Sequence, residues 1–256
     1  MCKGEGNDSN RVTRQHEVCR PTTHRHTASA AFSSIRSFVD YVFRAIDRTP
    51  IISKPTDRAT AERGSALSND ECCLASKIYM GHVDSLIGAC DGIFVPCIDN
   101  LGNFKSFCTK FQALPDVVAN TFIEQASTIV SCQVNGTIEH IGMKDAFLKL
   151  GADFRCAPHQ TKRAWKEALH AQQQSEDDAC ARQTQLLQNR SRNDATILLA
   201  AHPYLAHDPF MGGALEDMLS AMGVTLLYSD YCNRKQALQK SFEFSDTLPW
   251  IVNRES

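Results

Sequence analysis

The chain has 256 residues, of which 43% are hydrophobic and 22% charged, and its formal net charge is −2 at pH 7. This length allows one large domain or two ordinary ones, and the composition supplies a packed core, which excludes a chain disordered throughout. The nearly balanced charge argues against a dedicated nucleic-acid or membrane-surface binder, since such proteins usually carry a basic face.

The first 28 residues are polar and show no hydrophobic period, which predicts a disordered tail over residues 1–28. An amphipathic helix is expected next, because apolar residues recur at steps of three and four and therefore share one face. These residues are Phe32, Ile35, Val39, Val42 and Ile46. The run Ile51-Ile52-Ser53 then predicts a short strand, and the turn-forming residues 54–57 close it.

The next segment is predicted to hold two helices and two strands. A helix is expected from about Glu71 to Gly88. Residues 92–96 predict a buried parallel strand, because they are continuously apolar and flanked by chain breakers. Residues 99–103 are predicted to be a loop. A helix should begin at Pro115, since proline suits the first helical position, and residues 127–134 are a candidate strand.

Residues 161–192 are polar and rich in alanine, glutamine and arginine, which predicts a long solvated helix or a pair of helices. The last third of the chain begins with a strand over residues 196–200, of the kind found at the centre of parallel sheets. A loop over residues 202–211 follows it. A helix over residues 213–222 and a strand over residues 224–228 then complete a β-loop-α-β unit.

These elements predict an α/β protein with two Rossmann-like lobes built on mainly parallel sheets. We place the first lobe at residues 29–155, a polar helical connector at 156–194 and a partial second lobe at 195–256. The first lobe should lack its first strand and the second lobe should be incomplete. Strand edges would then be exposed unless a partner covers them.

The chain contains 11 cysteines, an odd number at irregular spacings. The first ten residues are polar and hold no apolar segment of a secretory signal. We therefore expect a cytoplasmic location, where most cysteines are small buried hydrophobes, rather than a disulfide scaffold. No window approaches 18 consecutive apolar residues, so no transmembrane helix is predicted.

Two cysteines have neighbours that suggest chemistry. Cys73 lies at the start of a predicted helix with Lys77 and His82 after it, and Cys108 follows a strand and a loop with Lys110 beside it. Loops at the carboxyl ends of parallel strands converge on one site, and a nearby lysine favours a thiolate. Thiolates are the ligands of iron–sulfur clusters and zinc, although the spacing alone favours structural cysteines.

Five short motifs follow one another in the chain: residues 73–82, 94–96, 108–116, 202–208 and 222–224. Their order resembles that of the acyl-CoA dehydratase activase-related proteins, relatives of the 2-hydroxyacyl-CoA dehydratase subunits. In that family the first motif is Cys-x-Pro-x-Lys followed by Gly-His, and the third is Cys-Pro-Lys-Phe before Gly-Leu-Pro-Asp. The fourth begins His-Pro-Tyr, which stands here at residues 202–204. The resemblance covers roughly residues 30 to 256.

The resemblance implies that Cys73 and Cys108 hold a [4Fe-4S] cluster, which passes an electron to a 2-hydroxyacyl-CoA so that water can leave. Lys77, His82 and Lys110 would then lie near the cluster or an anionic substrate and take part in catalysis. A second dehydratase subunit and an ATP-driven activase would be the partners, and any activity would be that of a lyase or an associated component. The alternatives are a non-catalytic remnant or interaction subunit, and a structural zinc site.

The chain departs from the family pattern at several positions. Ala75 and Thr109 replace prolines, and Ala113 replaces a glycine. Family chains continue to a Cys-Gly-Pro-Asp segment with a further cysteine, whereas this sequence ends at Ser256. We therefore expect a truncated chain and a cluster that lacks one of its usual ligands.

Three further features remain candidates. Cys97 or Cys232 would be the replacement for a missing ligand. The loop over residues 202–211 is either a strand-end turn stabilised by Asp208 or a substrate-contacting loop. Gly212-Gly213 at a helix start would allow backbone amides to approach an anion. The phosphate-binding motifs of the ATP-driven activase are absent from the sequence, so the chain is not predicted to be the ATPase itself.

Overall fold

A computed structural model describes residues 17–20, 40, 43–44, 49–100, 107–190 and 195–233. Helices and short parallel strands alternate along these ranges, which confirms the α/β prediction. Within the part of the chain that the structure describes, no helix combines the length and the apolarity needed to cross a bilayer.

Eight strands among the described residues form three sheets, and every pairing between strands is parallel. Their bounds are β1 Glu17–Arg20, β2 Thr49–Ile52, β3 Gly92–Phe94, β4 Cys97–Asn100, β5 Ile129–Val130, β6 Gln133–Asn135, β7 Thr196–Leu199 and β8 Thr225–Tyr228. The largest sheet has the order β2-β1-β3-β5, while β4 pairs with β6 and β7 with β8. Parallel pairing requires crossover connections, and the helices supply them.

Strand β1 corrects two sequence predictions. It lies inside the range 1–28 that was predicted to be disordered, and it pairs with β2 on one side and β3 on the other. The first lobe therefore does not lack its first strand. The four residues Glu-Val-Cys-Arg contain no apolar run, so the sequence gives no strand signal there and the neighbouring strands specify the pairing. The other residues of the range 1–28 lie outside the described residues.

Of the eight α-helices among the described residues, sequence analysis missed four. Their bounds are α1 Arg58–Ala66, α2 Leu74–Leu86, α3 Thr109–Gln112, α4 Leu114–Thr121, α5 Met143–Asp153, α6 Pro158–Asn189, α7 Pro203–Ala206 and α8 Gly213–Ala221. Helix α1 follows the predicted turn directly, because the Asp57 carboxylate accepts a hydrogen bond from the Thr60 N–H at 2.8 Å and caps the helix. The predicted helix over residues 32–46 lies mostly outside the described residues, of which 40, 43 and 44 are helical.

Two element boundaries differ from the predictions around the second small sheet. Asp99 and Asn100, predicted to be in a loop, belong to β4, and the predicted strand over residues 127–134 is divided into β5 and β6. The side-chain amide of Asn100 donates to Asn135 Oδ1 at 2.9 Å, so buried polar side chains join β4 to β6. The residues that pair these strands therefore do not form the apolar pattern that predicts a strand. The polar connector forms one helix, α6, rather than a pair.

The core has two parts, on opposite faces of the largest sheet. Neighbouring residues of a strand point to opposite faces, and Ile93 and Phe94 accordingly belong to different clusters. Ile93 lies in the cluster of α2 and α4, which includes Met80 and Val118. Phe94 lies in the cluster of α5 and α6, which includes Phe147. The first lobe therefore has helices on both faces of a parallel sheet, as in doubly wound folds.

Helices α1 and α2 cross with their backbones in close approach, and a glycine on each helix makes this possible. A Cβ atom at Gly64 would lie 1.8 Å from the carbonyl oxygen of Lys77, and one at Gly81 would lie 2.1 Å from that of Thr60. No side chain fits at either position. The crossing therefore fixes the position of α2, and with it the residue that precedes the helix.

The second lobe is the β7-α8-β8 unit that the sequence predicted. Leu219 of α8 and Leu227 of β8 are buried, and Gly223 ends the helix with a φ of +71°. Ile197 and Leu198 are neighbours on β7, so they point to opposite faces, yet they are 41% and 56% exposed. Neither face of β7 is therefore fully covered by the described part of the chain.

Candidate functional site

Cys73 and Cys108 each stand immediately before a helix, as predicted for Cys73, whereas the short helix after Cys108 was not predicted. The Lys77 N–H donates to the Cys73 carbonyl oxygen at 3.0 Å, and the Gln112 N–H donates to the Cys108 carbonyl oxygen at 3.1 Å. Both cysteines are exposed and free. Cys73 is the N-cap residue of the 13-residue helix α2, and its side chain makes no capping hydrogen bond among the described residues.

The thiols of Cys73 and Cys108 both affect the pKa of one phenol in the second lobe, that of Tyr204 in α7. Burial raises the pKa of Tyr204, and negative charge at Cys73 and at Cys108 raises it further. The phenol therefore shares its electrostatic surroundings with the starts of α2 and α3, and the imidazole of His202 stacks on the Tyr204 ring at a centroid distance of 5.1 Å.

The two predicted lysines have different surroundings. Lys77 lies one helical turn after Cys73 and is partly buried, and its ammonium donates to the Asp70 carbonyl oxygen at 3.3 Å. Lys110 lies two residues after Cys108 and is exposed on α3. Lys77 therefore also ties the loop before α2 to the helix, whereas the Lys110 side chain extends into solvent beside the second thiol.

His82 lies on a different face of α2 from Lys77. It lies five residues after Lys77, and a rotation of about 100° per residue places it on a different face of α2. The residue is 1% exposed. Its Nδ1 lies 3.0 Å from Ser53 Oγ and its Nε2 lies 3.0 Å from Thr56 Oγ1. Its ring is therefore held inside the first lobe by two hydroxyl groups.

Thr56 extends this network into the second lobe. Its hydroxyl donates to Oδ2 of Asp208, a residue that is 2% exposed. Oδ1 of Asp208 accepts hydrogen bonds from the N–H groups of Phe210 and Met211, both at 2.8 Å. The buried carboxylate therefore receives donors from both lobes. We call the residues of this network the interlobe chain: Ser53, His82, Thr56 and Asp208.

The interlobe chain fixes the position of the proton on the imidazole. The Thr56 hydroxyl carries one proton, which it donates to the Asp208 carboxylate. Its oxygen must therefore accept from His82, so that Nε2 carries a proton. In a neutral ring that carries its proton on Nε2, Nδ1 is an acceptor for the Ser53 hydroxyl. Sequence analysis missed Ser53 and Thr56, whose only signal was their place at the carboxyl end of β2.

His207 anchors the other side of the segment between β7 and α8, residues 200–212, which we call the β7–α8 loop. Its Nε2 lies 3.0 Å from Asp230 Oδ2, and the two side chains are 8% and 10% exposed. The imidazole stacks on Tyr231 at a centroid distance of 5.0 Å and contacts Tyr228 at 4.6 Å. The loop that carries Tyr204 is therefore joined to β8 as well as to the first lobe.

The other cysteines have separate surroundings. Cys97 Sγ donates to the Gln112 carbonyl oxygen at 3.0 Å, and burial, with a contribution from Asp99, raises the pKa of Cys97 to about 12. Cys232 lies beside Gln183, and burial raises the pKa of its thiol also. Cys90 is disulfide-bonded, which the prediction of a reducing compartment did not anticipate.

The described residues do not assemble a metal site around Cys73 and Cys108. Within the described ranges, no group of three or more histidine, cysteine, aspartate or glutamate side chains is arranged to hold a metal ion. Iron–sulfur clusters usually take four cysteine ligands. The described residues therefore offer the two exposed thiols and no third side chain of these types arranged with them.

Alkylation should separate the candidate thiols from the structural ones. At pH 9 a thiol with a pKa of about 12 is roughly 0.1% thiolate, and the thiolate is the reactive form. We expect iodoacetamide at pH 9 to label the exposed Cys73 and Cys108 first and to leave Cys97 and the buried Cys132 unlabelled, as read by peptide mass spectrometry. Labelling of Cys97 should increase as the pH approaches 12. Equal rates for Cys97 and Cys73 at pH 9 would contradict this assignment.

Comparison with known proteins supports the order of motifs. Residues 31–232 match a family model that is described as a CoA enzyme activase uncharacterised domain. The match covers more than half of the chain and includes both cysteines of the site and the β7–α8 loop. Neither the curated proteins nor the solved structures contain a significant match.

Proposed function

We propose that this chain, which belongs to the family of CoA enzyme activase uncharacterised domains, is an iron–sulfur protein that takes part in the dehydration of an acyl-CoA. Cys73 and Cys108 would be the cluster ligands. The observation that carries this proposal is that Cys73 and Cys108 are free, exposed thiols, each immediately before a helix. Structural cysteines are usually buried, whereas these two are open to a ligand.

The proposed cluster would be held by Cys73 and Cys108 and would lend one electron to a 2-hydroxyacyl-CoA. The electron would return once hydroxide and a proton have left as water, because the overall dehydration is redox-neutral. The remaining coordination positions would be open to a second dehydratase subunit or to a small ligand, because the described residues offer two thiols there. An ATP-driven activase would be the source of the electrons. The chain would then be a subunit of a lyase or a component associated with one.

The chain's own residues would bind and orient the substrate. The exposed Lys110 ammonium would attract the phosphates or carboxylate of an acyl-CoA beside Cys108. The Tyr204 phenol is protonated at neutral pH, as its raised pKa further favours, so it would donate a hydrogen bond at the site. Lys77 would hold the loop before α2 in place. His82 is buried, so we assign it a positioning role exerted through Thr56 rather than direct contact with substrate.

A second candidate is a non-catalytic interaction subunit of the same fold. The exposure of Ile197 and Leu198 on both faces of β7 favours it, because parallel sheets are normally covered on both faces. Such a subunit would keep the fold and present β7 to a partner, without a working cluster. The two candidates differ in whether the thiols bind iron.

Anaerobic reconstitution with iron and sulfide tests the proposal. We expect the unmodified protein to gain a broad absorption near about 400 nm, and Cys73→Ala and Cys108→Ala each to lose it, because each change removes one of two thiolate ligands. Cys72→Ala is the matched control, since Cys72 is the adjacent residue and its Sγ donates to Asn69 Oδ1 at 2.9 Å. It should load like the unmodified protein.

Two outcomes would contradict the iron–sulfur proposal. Full loading of the double variant that lacks Cys73 and Cys108 would show that iron binds elsewhere. Purified protein that contains zinc and takes up no iron would identify a structural zinc site in its place.

A further inference from the structure

We propose that the interlobe chain is a latch that holds the β7–α8 loop against the first lobe and so keeps Tyr204 at the thiol pair. The contact between Thr56 and Asp208 joins residues 152 positions apart and crosses from one lobe to the other. The existence of the latch does not require a bound cluster. Its importance for the site does rest on the proposed function.

The first-lobe half of the latch is rigid. Ser53 and Thr56 follow β2 directly and are 7% and 8% exposed. Asp57, the next residue, caps α1, and the ring of His82 is fixed on α2 between the two hydroxyls. The Thr56 hydroxyl therefore has a defined position, set by a strand and two helices, and its proton has a defined direction.

The second-lobe half organises the whole loop around one residue. The side chain of Asp208 accepts the N–H groups of the two residues that follow Pro209. Its carbonyl oxygen accepts the N–H groups of Gly212 and Gly213 at 2.8 and 3.1 Å. A Cβ atom at Gly212 would lie 2.2 Å from the Ala206 carbonyl oxygen, so the loop closes tightly on α7. A contact that holds Asp208 therefore holds α7 as well.

The buried contact is strong because both partners are removed from water. Hydrogen bonds to a carboxylate are stronger than neutral ones, and low exposure increases their electrostatic strength. Loss of the Thr56 hydroxyl would remove one donor from Asp208 and one acceptor from His82 at the same time. The β7–α8 loop would keep its own hydrogen bonds and its His207–Asp230 pair, but it would lose this attachment to the first lobe.

Tyr204 lies four residues before Asp208, in the short helix α7 of the same loop. Its ring stacks on His202, and its phenol is affected by both Cys73 and Cys108. Displacement of Asp208 would therefore move the phenol away from the thiol pair. This makes Thr56 and Asp208 positioning residues for the site, which they do not need to touch.

Cross-linking in the cluster-free protein tests the latch independently of the proposed function. In the variant Tyr204→Cys, a short thiol-to-thiol cross-linker should join position 204 to Cys73 or Cys108, and peptide mass spectrometry would map the products. Adding Thr56→Val, which keeps the side-chain shape and removes the hydroxyl, should lower the yield at least fivefold. Adding Thr56→Ser should restore it.

Thr137→Val is the matched control for the loss of a hydroxyl. Thr137 Oγ1 is buried and has no hydrogen-bond partner in the described residues, so this change should leave the cross-link yield unchanged. Protection of the buried Cys132 and Cys156 from the cross-linker reports that the first lobe is still folded. If Thr56→Val exposes them, Asp208→Ala breaks the same contact from the second lobe and takes its place.

Three results would overturn the latch. The first is the absence of a product between position 204 and either thiol in the folded Tyr204→Cys protein. The second is an unchanged yield when Thr56→Val, or Asp208→Ala in its place, is added to folded protein. The third is a loss of yield in Thr137→Val that equals the loss in Thr56→Val. A protein that fails to bind iron but shows the expected cross-links would contradict the proposed function and leave the latch intact.

Discussion

Replacing Gly81 by alanine is expected to destabilise the first lobe by more than about 3 kcal/mol, and Gly64→Ala should have a similar effect. Each added methyl group would overlap a backbone carbonyl oxygen of the opposite helix, at 2.1 Å for Gly81 and 1.8 Å for Gly64. A backbone atom cannot move aside as a flexible side chain does, so the two helices would have to separate. Urea denaturation, followed by circular dichroism, measures the effect.

Gly213→Ala is the control for this prediction. Gly213 also lies in a helix, α8, but a Cβ atom there would have no neighbour within 4 Å. Alanine is favoured over glycine in helices by up to about 1 kcal/mol, so this variant should be as stable as the unmodified protein or slightly more stable. Unchanged stability of Gly81→Ala would mean that α1 and α2 do not cross as closely as the structure has them.

The glycine crossing also gives a physical meaning to the Gly-His pair in the first motif. Gly81 allows the close approach of α1, and His82, the next residue, carries the hydrogen bonds to Ser53 and Thr56. Both residues therefore position α2 relative to the segment after β2. Cys73 lies at the start of the same helix, eight residues before Gly81, and its place at the site depends on that packing.

Regular hydrophobic patterns were sufficient to predict much of the fold. Helix α2, strand β3 and the β7-α8-β8 unit were expected within a few residues of their observed bounds, because each has a clear apolar period or run. Strand β1 and helix α1 lack such patterns. Pairing partners specify β1, and a capping carboxylate and a glycine contact specify α1, so tertiary structure decided both.

The site was predictable only where the sequence neighbours of a residue indicate its role. The position of Cys73 before a helix followed from local patterns, whereas the short helix after Cys108 was not predicted. The contact between Thr56 and Asp208 did not, because nothing near either residue indicates a partner 152 positions away. His82 was expected near the cluster or substrate, and the structure places its ring in a buried network, where it contacts hydroxyl groups.

Asp208→Asn is expected to reverse the direction of every hydrogen bond in the interlobe chain while keeping the chain intact. The asparagine Oδ1 can still accept the N–H groups of Phe210 and Met211, which leaves the amide Nδ2 facing Thr56. The amide donates, so the Thr56 oxygen accepts and its proton turns towards His82 Nε2. The His82 proton must then move to Nδ1, where it is donated to Ser53.

Nitrogen-15 NMR of the imidazole measures this change directly, because a protonated ring nitrogen and an unprotonated one have well-separated shifts. We expect protonated Nε2 in the unmodified protein and protonated Nδ1 in Asp208→Asn. The free energy of unfolding of Asp208→Asn should be lower than that of the unmodified protein by no more than about 1 kcal/mol, because each hydrogen bond of the interlobe chain keeps a donor and an acceptor. Asp208→Ala is the contrasting variant. It leaves the Thr56 hydroxyl and two buried N–H groups unsatisfied, so it should lower the free energy of unfolding by about 3 kcal/mol. If the same imidazole nitrogen is protonated in Asp208→Asn and in the unmodified protein, the assigned direction of the hydrogen bonds in the interlobe chain is wrong. If the asparagine and alanine variants are equally stable, the polar contact contributes little to holding the lobes together.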